Sequence, residues 1–207
     1  MSNIPAGNTP GIVDDDAALV ASARQGDLSA FEALVAKHQK RVLNTALRII
    51  GEYEDACEVT QDVFVSAYRN IKGFRAEAKF STWLIAIAVN LSRNRLKQVI
   101  IRQKREPVSL DAPIEADDGA MMPDPPSNEQ SVLDRMEKQD MKKRVQDCIQ
   151  SLEPDFREVL VLRDMQDFSY EEIGGMLKVA AGTVKSRLFR ARESVRECLK
   201  KVMGDLV

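Results

Sequence analysis

The segment SYEEIGGMLKVAAGTVKSRLFRAR, from Ser169 to Arg192, decides the fold of the carboxy-terminal part of this chain. Ser169 and Glu172 have the spacing of a capping box, in which each side chain accepts a hydrogen bond from a backbone N–H at a helix start. The segment therefore predicts a helix that begins after Ser169, a break near residues 179–182, and a second helix. This order is typical of a helix-turn-helix, whose second helix enters the major groove of DNA.

The second of these helices is predicted to have one apolar and one cationic face. Its apolar stripe, at 3.6 residues per turn, comprises Val184, Leu188, Ala191, Val195, Cys198 and Leu199. Arginine can bind a guanine edge through two hydrogen bonds, and an apolar group can contact a thymine methyl. The candidate DNA contacts are Lys185, Ser186, Arg187, Phe189, Arg190 and Arg192. The alternative is that the cations only solvate a surface helix and that Phe189 covers a neighbouring hydrophobic patch.

The composition is that of an ordinary soluble protein. The 207 residues carry a net charge of −2, with 44% hydrophobic and 30% charged residues. No apolar run approaches the roughly 20 residues needed to span a bilayer, and the amino terminus lacks the pattern of a signal peptide. We expect a cytoplasmic protein without direct membrane insertion.

The sequence offers no signature of catalysis. It contains no nucleophile elbow, phosphate loop or paired-histidine motif, and we expect no catalytic site, cofactor or metal. Cys57, Cys148 and Cys198 lie far apart in sequence and form no CxxC motif. We interpret them as buried structural thiols rather than as metal ligands or a redox pair.

Helical periodicity predicts an all-α fold of two small domains. A disordered tail (1–14) precedes a helical domain (15–105), a linker (106–131) and a second helical domain (132–207). The linker contains five of the eight prolines and seven acidic residues but no lysine or arginine, which predicts a flexible, extended segment. A short helix is expected around Leu19, Val20 and Ala23, followed by a long one from Phe31 to Ile50 that Gly51 ends. Further helices are expected for residues 54–71, 81–101, 132–152 and 154–165, before the two helices of the helix-turn-helix.

The last helix of the first domain is also predicted to contact nucleic acid. It carries Arg93, Arg95 and Lys97 towards its end, and no acidic residue lies between Phe80 and Arg105. The segment before it, FRAEAKFSTW, mixes Phe74, Phe80 and Trp83 with Arg75 and Lys79. Unpaired bases stack on aromatic side chains beside cations. The alternative for Phe80 and Trp83 is a place in the core.

Four stretches together resemble the extracytoplasmic-function (ECF) type of bacterial sigma factors. They are ALVASARQGDLSAFEALVAKHQKRV (18–42), EDACEVTQDVFVSAYRNIKGF (54–74), FSTWLIAIAVNLSRNRL (80–96) and SLEPDFREVLVLRDMQDFSYEEIGGMLKVAAGTVKSRLFRARE (151–193). The resemblance implies sigma region 2 and region 4 domains in a dissociable specificity subunit of RNA polymerase. It also implies binding to the clamp coiled coil and the flap of core RNA polymerase, to promoter DNA and to a cognate anti-sigma factor.

By the same resemblance, three sets of site residues are expected. The core polymerase set is Asp55, Glu58, Gln61, Asp62 and Phe64. The minus-ten set is Arg75, Lys79, Phe80, Trp83, Asn90 and Arg93, with Asn90 at a base edge. In the minus-thirty-five set, Lys185, Ser186, Phe189 and Arg190 would enter the major groove, whereas Arg187 and Arg192 would contact phosphates.

Two rival interpretations stay open at this stage. One is a helix-turn-helix regulator, which would leave the amino-terminal half unexplained. The other is a sigma-like mimic that binds an anti-sigma factor without acting in polymerase. The arrangement of the domains is a further expectation: we expect closure with an inhibitor and mobility without one, and packed domains should bury Lys185, Phe189 or Arg190.

Overall fold

A computed structural model of the chain describes residues 15–105 and 132–203, which form eight α-helices and no strand. The helices are α1 (Ala17–Arg24), α2 (Leu28–Ile50), α3 (Tyr53–Asn70), α4 (Phe80–Arg105), α5 (Val132–Gln150), α6 (Pro154–Leu160), α7 (Tyr170–Leu177) and α8 (Ala181–Met203). The predicted all-α class is confirmed. The expected tail (1–14) and linker (106–131) lie outside the described residues, as do residues 204–207.

Helices α1 to α4 form the first bundle. The side chain of Asp27 caps α2 by accepting hydrogen bonds from the backbone N–H groups of Ser29 and Ala30, at 2.9 and 3.2 Å. Gly51 ends α2 at φ 94°, a left-handed conformation that costs glycine little. The apolar face of α2, with Leu34, Val42 and Ile49 fully buried, packs against α3 and α4 and forms the core of this bundle.

Helices α5 to α8 form the second bundle. The predicted capping box is present: Glu172 N–H donates to Ser169 Oγ at 3.2 Å, and Ser169 N–H donates to Glu172 Oε2 at 2.9 Å. The apolar stripe of α8 faces α6 and α7 through Val184, Leu188 and Ala191, which are at most 2% exposed. Helix α6 continues into a π-helical turn (Val161–Met165), which the sequence pattern did not predict.

The two bundles pack against each other at the carboxyl end of α2. Gln150 Nε2 donates to the carbonyl of Arg48 at 2.8 Å, and Arg157 Nη1 donates to the carbonyl of Ile49 at 2.7 Å. Carbonyls in the last turn of a helix have no partner within that helix. The second bundle therefore supplies hydrogen-bond donors that α2 cannot supply for itself.

A second contact joins the bundles near the middle of α2. Arg41 Nε donates to Gln166 Oε1 at 2.7 Å, and its guanidinium carbon lies 5.3 Å from the centre of the Phe168 ring. The domains of the chain on its own thus pack against each other in this structure, while their mobility in solution stays a prediction. Sequence periodicity marks buried faces but does not reveal which hydrogen bonds form between two separate bundles.

Candidate nucleic-acid and polymerase interfaces

The outward face of α8 is open in the closed protein. Lys185, Ser186 and Arg190 are exposed, and Phe189 is 68% exposed. The expectation that packed domains would bury Lys185, Phe189 or Arg190 is wrong, because the domains meet through α5, α6 and α7 rather than through this face. A row of cationic and apolar groups on the second helix of a helix-turn-helix can enter a major groove without any rearrangement.

Two further arginines of α8 are held by carboxylates of their own domain. Arg187 lies 2.5 Å from Asp155 Oδ2, and Arg192 Nε donates to Asp164 Oδ2 at 2.9 Å. The hydrogen bond to Asp164 raises the pKa of Arg192. Partly exposed ion pairs of this kind contribute little to stability, so either arginine can exchange its carboxylate for a phosphate.

The aromatic segment at the start of α4 is only partly available to a ligand. Phe80 is fully buried and Phe74 is 6% exposed, whereas Trp83 is half-buried at the edge of the same cluster. The ring centre of Trp83 lies 5.0 Å from that of Phe74 and 5.7 Å from that of Phe80. Phe80 thus belongs to the core in this conformation and supports Trp83 from behind.

The polar residues expected at the minus-ten element divide into an exposed group and one that is bound at the domain interface. Arg75, Lys79 and Asn90 are exposed, and Arg75 lies 3.9 Å from Glu77 Oε1. Arg93 instead crosses to the second bundle, where its Nε donates to Glu158 Oε1 at 2.6 Å. The Glu158 side chain is 1% exposed and that of Arg93 is 26% exposed, so this ion pair closes the interface between the domains.

Burial raises the pKa of the Glu158 carboxyl, and the hydrogen bond from Arg93 opposes that rise only in part. The same hydrogen bond raises the pKa of Arg93. In both side chains this hydrogen bond favours the charged form, so the Arg93 guanidinium stabilises the Glu158 carboxylate. Without Arg93, the Glu158 carboxylate would be a poorly solvated negative charge inside the protein.

The acidic face of α3 is partly neutralised from within its own bundle. Arg95 Nε donates to Asp55 Oδ1 at 2.7 Å, and Arg95 Nη2 donates to Glu58 Oε2 at 2.6 Å. Phe64 is 9% exposed, which assigns most of its ring to the core. Gln61 and Asp62 are both exposed. Of the five residues expected at core polymerase, these two offer the freest polar groups.

Sequence reasoning missed two pairings at the predicted sites, that of Glu158 with Arg93 and that of Arg95 with Asp55 and Glu58. It also missed Arg157, which binds the end of α2. The available signal was the apolar context of FREVLVL (156–162), where adjacent Arg157 and Glu158 interrupt a buried run. Both residues are buried in the structure, at 7% and 1% exposure. Charged residues inside an apolar helix require partners, which here lie on α2 and α4.

Cys148 and Cys198 form a disulfide between α5 and α8, with their Cα atoms 5.7 Å apart. The interpretation of these two residues as unpaired structural thiols is therefore wrong. The two cysteines are 50 residues apart in sequence, and the packing of α5 against α8 brings their side chains together. Sequence spacing alone does not reveal this proximity. Cys57, on α3, is a free thiol.

Neither a metal site nor a membrane span is found in the described ranges. Residues 15–105 and 132–203 contain no cluster of three or more His, Cys, Asp or Glu side chains suited to a metal ion. No helix in these ranges is both long and apolar enough to cross a bilayer.

Both bundles match models of known protein families. The family model for sigma-70 region 2 matches residues 34–99, and that for sigma-70 region 4 matches residues 142–195. The RNA polymerase sigma-H factor of Pseudomonas aeruginosa is 33% identical over 93% of this chain and 97% of its own length. The ECF RNA polymerase sigma-E factor of Escherichia coli is 35% identical over 87% of this chain and 92% of its own length.

Solved structures show the same fold. CnrH, in a complex with the cytosolic domain of CnrY, is 26% identical and superposes with a TM-score of 0.63 over 91% of this chain and 99% of its own. The sigma factor RpoE of Bartonella quintana superposes with a TM-score of 0.61 at 22% identity, over 84% of this chain and 98% of its own. The chain belongs to the sigma-70 family of RNA polymerase sigma factors, in its ECF type, whose members are dissociable specificity subunits and not enzymes.

Proposed function

We propose that this chain binds core RNA polymerase and directs transcription from promoters with two spaced elements. The observation that carries the proposal is the open cationic face of α8, in a helix-turn-helix whose capping box and apolar stripe are both in place. Lys185, Ser186, Phe189 and Arg190 contact bases of the minus-thirty-five element. Arg187 and Arg192 contact phosphates after they leave Asp155 and Asp164.

The minus-ten element binds to α4 and to the segment before it. Exposed Arg75 and Lys79 attract the phosphate backbone, Trp83 stacks against an unpaired base, and Asn90 contacts a base edge. Phe80 acts indirectly, because it holds Trp83 in position. Arg93 joins this surface only when it leaves Glu158, so promoter binding by α4 requires the two domains to separate.

Core polymerase binds α3. Gln61 and Asp62 form its polar centre and match a basic partner surface, while Phe64 supports the helix from the core. Asp55 and Glu58 reach the polymerase only in exchange for Arg95. The flap of the polymerase contacts the second domain, in keeping with the sigma family.

We also propose that the protein works in the cytoplasm and that a cognate anti-sigma factor controls it. The comparison with CnrH supports a protein regulator, because that neighbour is bound to the cytosolic domain of CnrY. The closed arrangement of the present chain, in which Glu158 holds Arg93, gives such a regulator a state to stabilise.

Assembly with purified bacterial core polymerase tests the proposed function. The full chain should co-elute with core polymerase in size-exclusion chromatography, and Asp62→Lys should weaken the complex because it places a cation against a basic surface. Glu32→Lys is the matched control, since Glu32 is also an exposed acidic residue of the first domain but lies on α2 rather than on α3. Equal binding by all three proteins would remove α3 from the interface, and no binding by the wild type would contradict the proposal.

A further inference from the structure

The disulfide between Cys148 and Cys198 joins a helix of the domain interface to the helix proposed to read DNA. Cys148 lies near the end of α5 and Cys198 near the end of α8, and their Cα separation of 5.7 Å is ordinary for a disulfide. The two sulfurs differ in access. Cys148 is 1% exposed, whereas Cys198 is only partly buried. An oxidant or thiol from solution therefore reaches the pair through Cys198.

The turn of α5 that carries Cys148 also contacts the first domain. Gln146 and Gln150, two residues to either side, face Arg48 at the end of α2: Gln150 Nε2 donates to the Arg48 carbonyl at 2.8 Å, and Arg48 Nη1 donates to Gln146 Oε1 at 3.3 Å. The same turn is thus fixed covalently to α8 and by hydrogen bonds to α2.

An open groove lies between α5 and α8 beside the disulfide. It has a volume of about 330 Å³ and mostly apolar walls that include Val145, Ile149, Val195 and Leu199. Because the groove is open to solvent, the side chains on its two sides do not pack fully against each other there. Beyond the groove, the backbone carbonyl of Val202 on α8 accepts a hydrogen bond from Arg144 Nη1 at 3.0 Å. The disulfide therefore adds a covalent link beside a stretch where solvent separates part of α5 from α8.

We propose that Cys148 and Cys198 are a reversible redox site, which a low-molecular-weight disulfide such as glutathione disulfide oxidises, and that its disulfide fixes the turn of α5 that contacts α2. The Cys198 thiolate attacks glutathione disulfide and releases one glutathione thiolate. The Cys148 thiolate then attacks the Cys198 sulfur of the mixed disulfide and releases the second. In total, two protein thiols and one glutathione disulfide give one protein disulfide and two glutathione thiols.

The regulatory meaning of this site rests on the cytoplasmic location proposed above. Thiols are kept reduced in that compartment, and the disulfides that do form there are usually transient or redox-sensing. The pair would be a dithiol under ordinary conditions and a disulfide under oxidative stress. Because the oxidised form holds α5 in place, oxidation favours the closed protein, in which Arg93 is bound to Glu158.

Thiol mapping of the full chain tests the chemistry without polymerase or DNA. Reduced protein is equilibrated with buffers of graded glutathione to glutathione disulfide ratio, alkylated with N-ethylmaleimide under denaturing conditions and analysed by peptide mass spectrometry. Cys148 and Cys198 should lose alkylation together, form a disulfide with each other within one chain, and regain alkylation with dithiothreitol, whereas Cys57 should form at most a mixed disulfide with glutathione. The proposal is overturned if the two thiols persist in excess glutathione disulfide, or if oxidation joins two chains or pairs either of them with Cys57.

Hydrogen exchange on the same samples tests the structural consequence. Amides near the end of α5 and in the last turn of α2 should exchange about tenfold more slowly in the oxidised wild type than in the reduced wild type. Cys57→Ser should keep this response, and the double variant Cys148→Ser, Cys198→Ser should lose it. The comparison of the two wild-type forms stands even if the double variant does not fold. Equal exchange in both forms would overturn the coupling between redox state and closure. Because neither readout uses core polymerase, failure here is distinguishable from failure of the proposed function.

Discussion

Among single residues, Arg93 shows best how the domain arrangement affects a predicted binding face. It lies on the predicted DNA-binding face of α4, and yet Glu158 of the other domain binds it. Helical periodicity was sufficient to place Arg93 on the cationic side of α4. It could not identify Glu158 as the partner, because the two residues are 65 positions apart and belong to different bundles. Phe80 shows the same limit, since its neighbours in sequence suggested a ligand and its neighbours in space form a core.

Arg93→Ala should destabilise the closed protein by about 2–4 kcal/mol at pH 7.5, because it leaves the buried Glu158 carboxylate without its cation. The defect should shrink at pH 5. The pKa of Glu158 is already raised by burial and rises further once Arg93 is gone, so stability is lost as pH climbs from the unfolded value of the carboxyl through its folded value. Denaturant unfolding at both pH values, together with the radius of gyration, measures the effect.

Arg95→Ala is the matched control for this experiment. Arg95 lies on the same helix, but its carboxylates belong to its own bundle, and the Glu58 side chain is 63% exposed. Its loss should cost about 1 kcal/mol or less and should leave the radius of gyration unchanged. Identical behaviour of the two variants at both pH values would contradict the account of Glu158.

Arg190→Ala and Arg192→Ala should separate base contacts from phosphate contacts on α8. Loss of Arg190 should cost about 1–3 kcal/mol of binding to the preferred minus-thirty-five sequence and relax the preference at one base position. Loss of Arg192 should weaken binding to all sequences alike and make its salt dependence shallower. Titration of a DNA library with the holoenzyme at several salt concentrations measures both. Equal, sequence-independent losses would remove Arg190 from the base contacts.

At the scale of elements, all eight helices of the described ranges were predictable, with bounds that differ by a few residues. Apolar periodicity located the buried faces, and the cap at Ser169 and the stop at Gly51 set helix ends. The π-helical turn after α6 was not predictable, since its residues continue an ordinary helical pattern. The disulfide was missed for a different reason: it depends on how α5 packs on α8.

The two adjacent glycines of α7 should respond oppositely to alanine. A Cβ at Gly174 would lie 2.8 Å from the backbone carbonyl oxygen of Val179, whereas a Cβ at Gly175 would have no atom within 4 Å apart from its chain neighbours and its own helix backbone. Gly175→Ala should therefore stabilise the protein by about 0.5–1 kcal/mol through helix propensity. Gly174→Ala should destabilise it by about 1–3 kcal/mol, because the turn must shift.

Thermal unfolding of both glycine variants under identical conditions measures this difference, and each serves as the control for the other. Helix propensity alone assigns the two glycines the same cost, since both interrupt a helix. If Gly174→Ala raised the melting temperature as much as Gly175→Ala, the tight approach of α7 to the turn would be refuted.

At the scale of the whole molecule, the closed arrangement leaves the two proposed DNA-binding surfaces in different states. The face of α8 is open, while Arg93 on α4 is held by Glu158. The sequence predicted two domains with two cationic helices. It did not predict closure, because closure depends on donors such as Arg157 that reach the backbone of α2. In this state the face of α8 is accessible, whereas Arg93 on α4 becomes accessible only when the domains separate.

Run-off transcription tests whether the chain directs promoter-specific initiation. Purified bacterial core polymerase is supplied with a pool of genomic promoter fragments, with and without the full chain. Discrete transcripts should appear only when the chain is added, and their templates should share two sequence elements at a fixed spacing. Core binding without any new transcript would instead identify a sigma-like mimic, and transcripts that are the same with and without the chain would contradict its role in promoter selection.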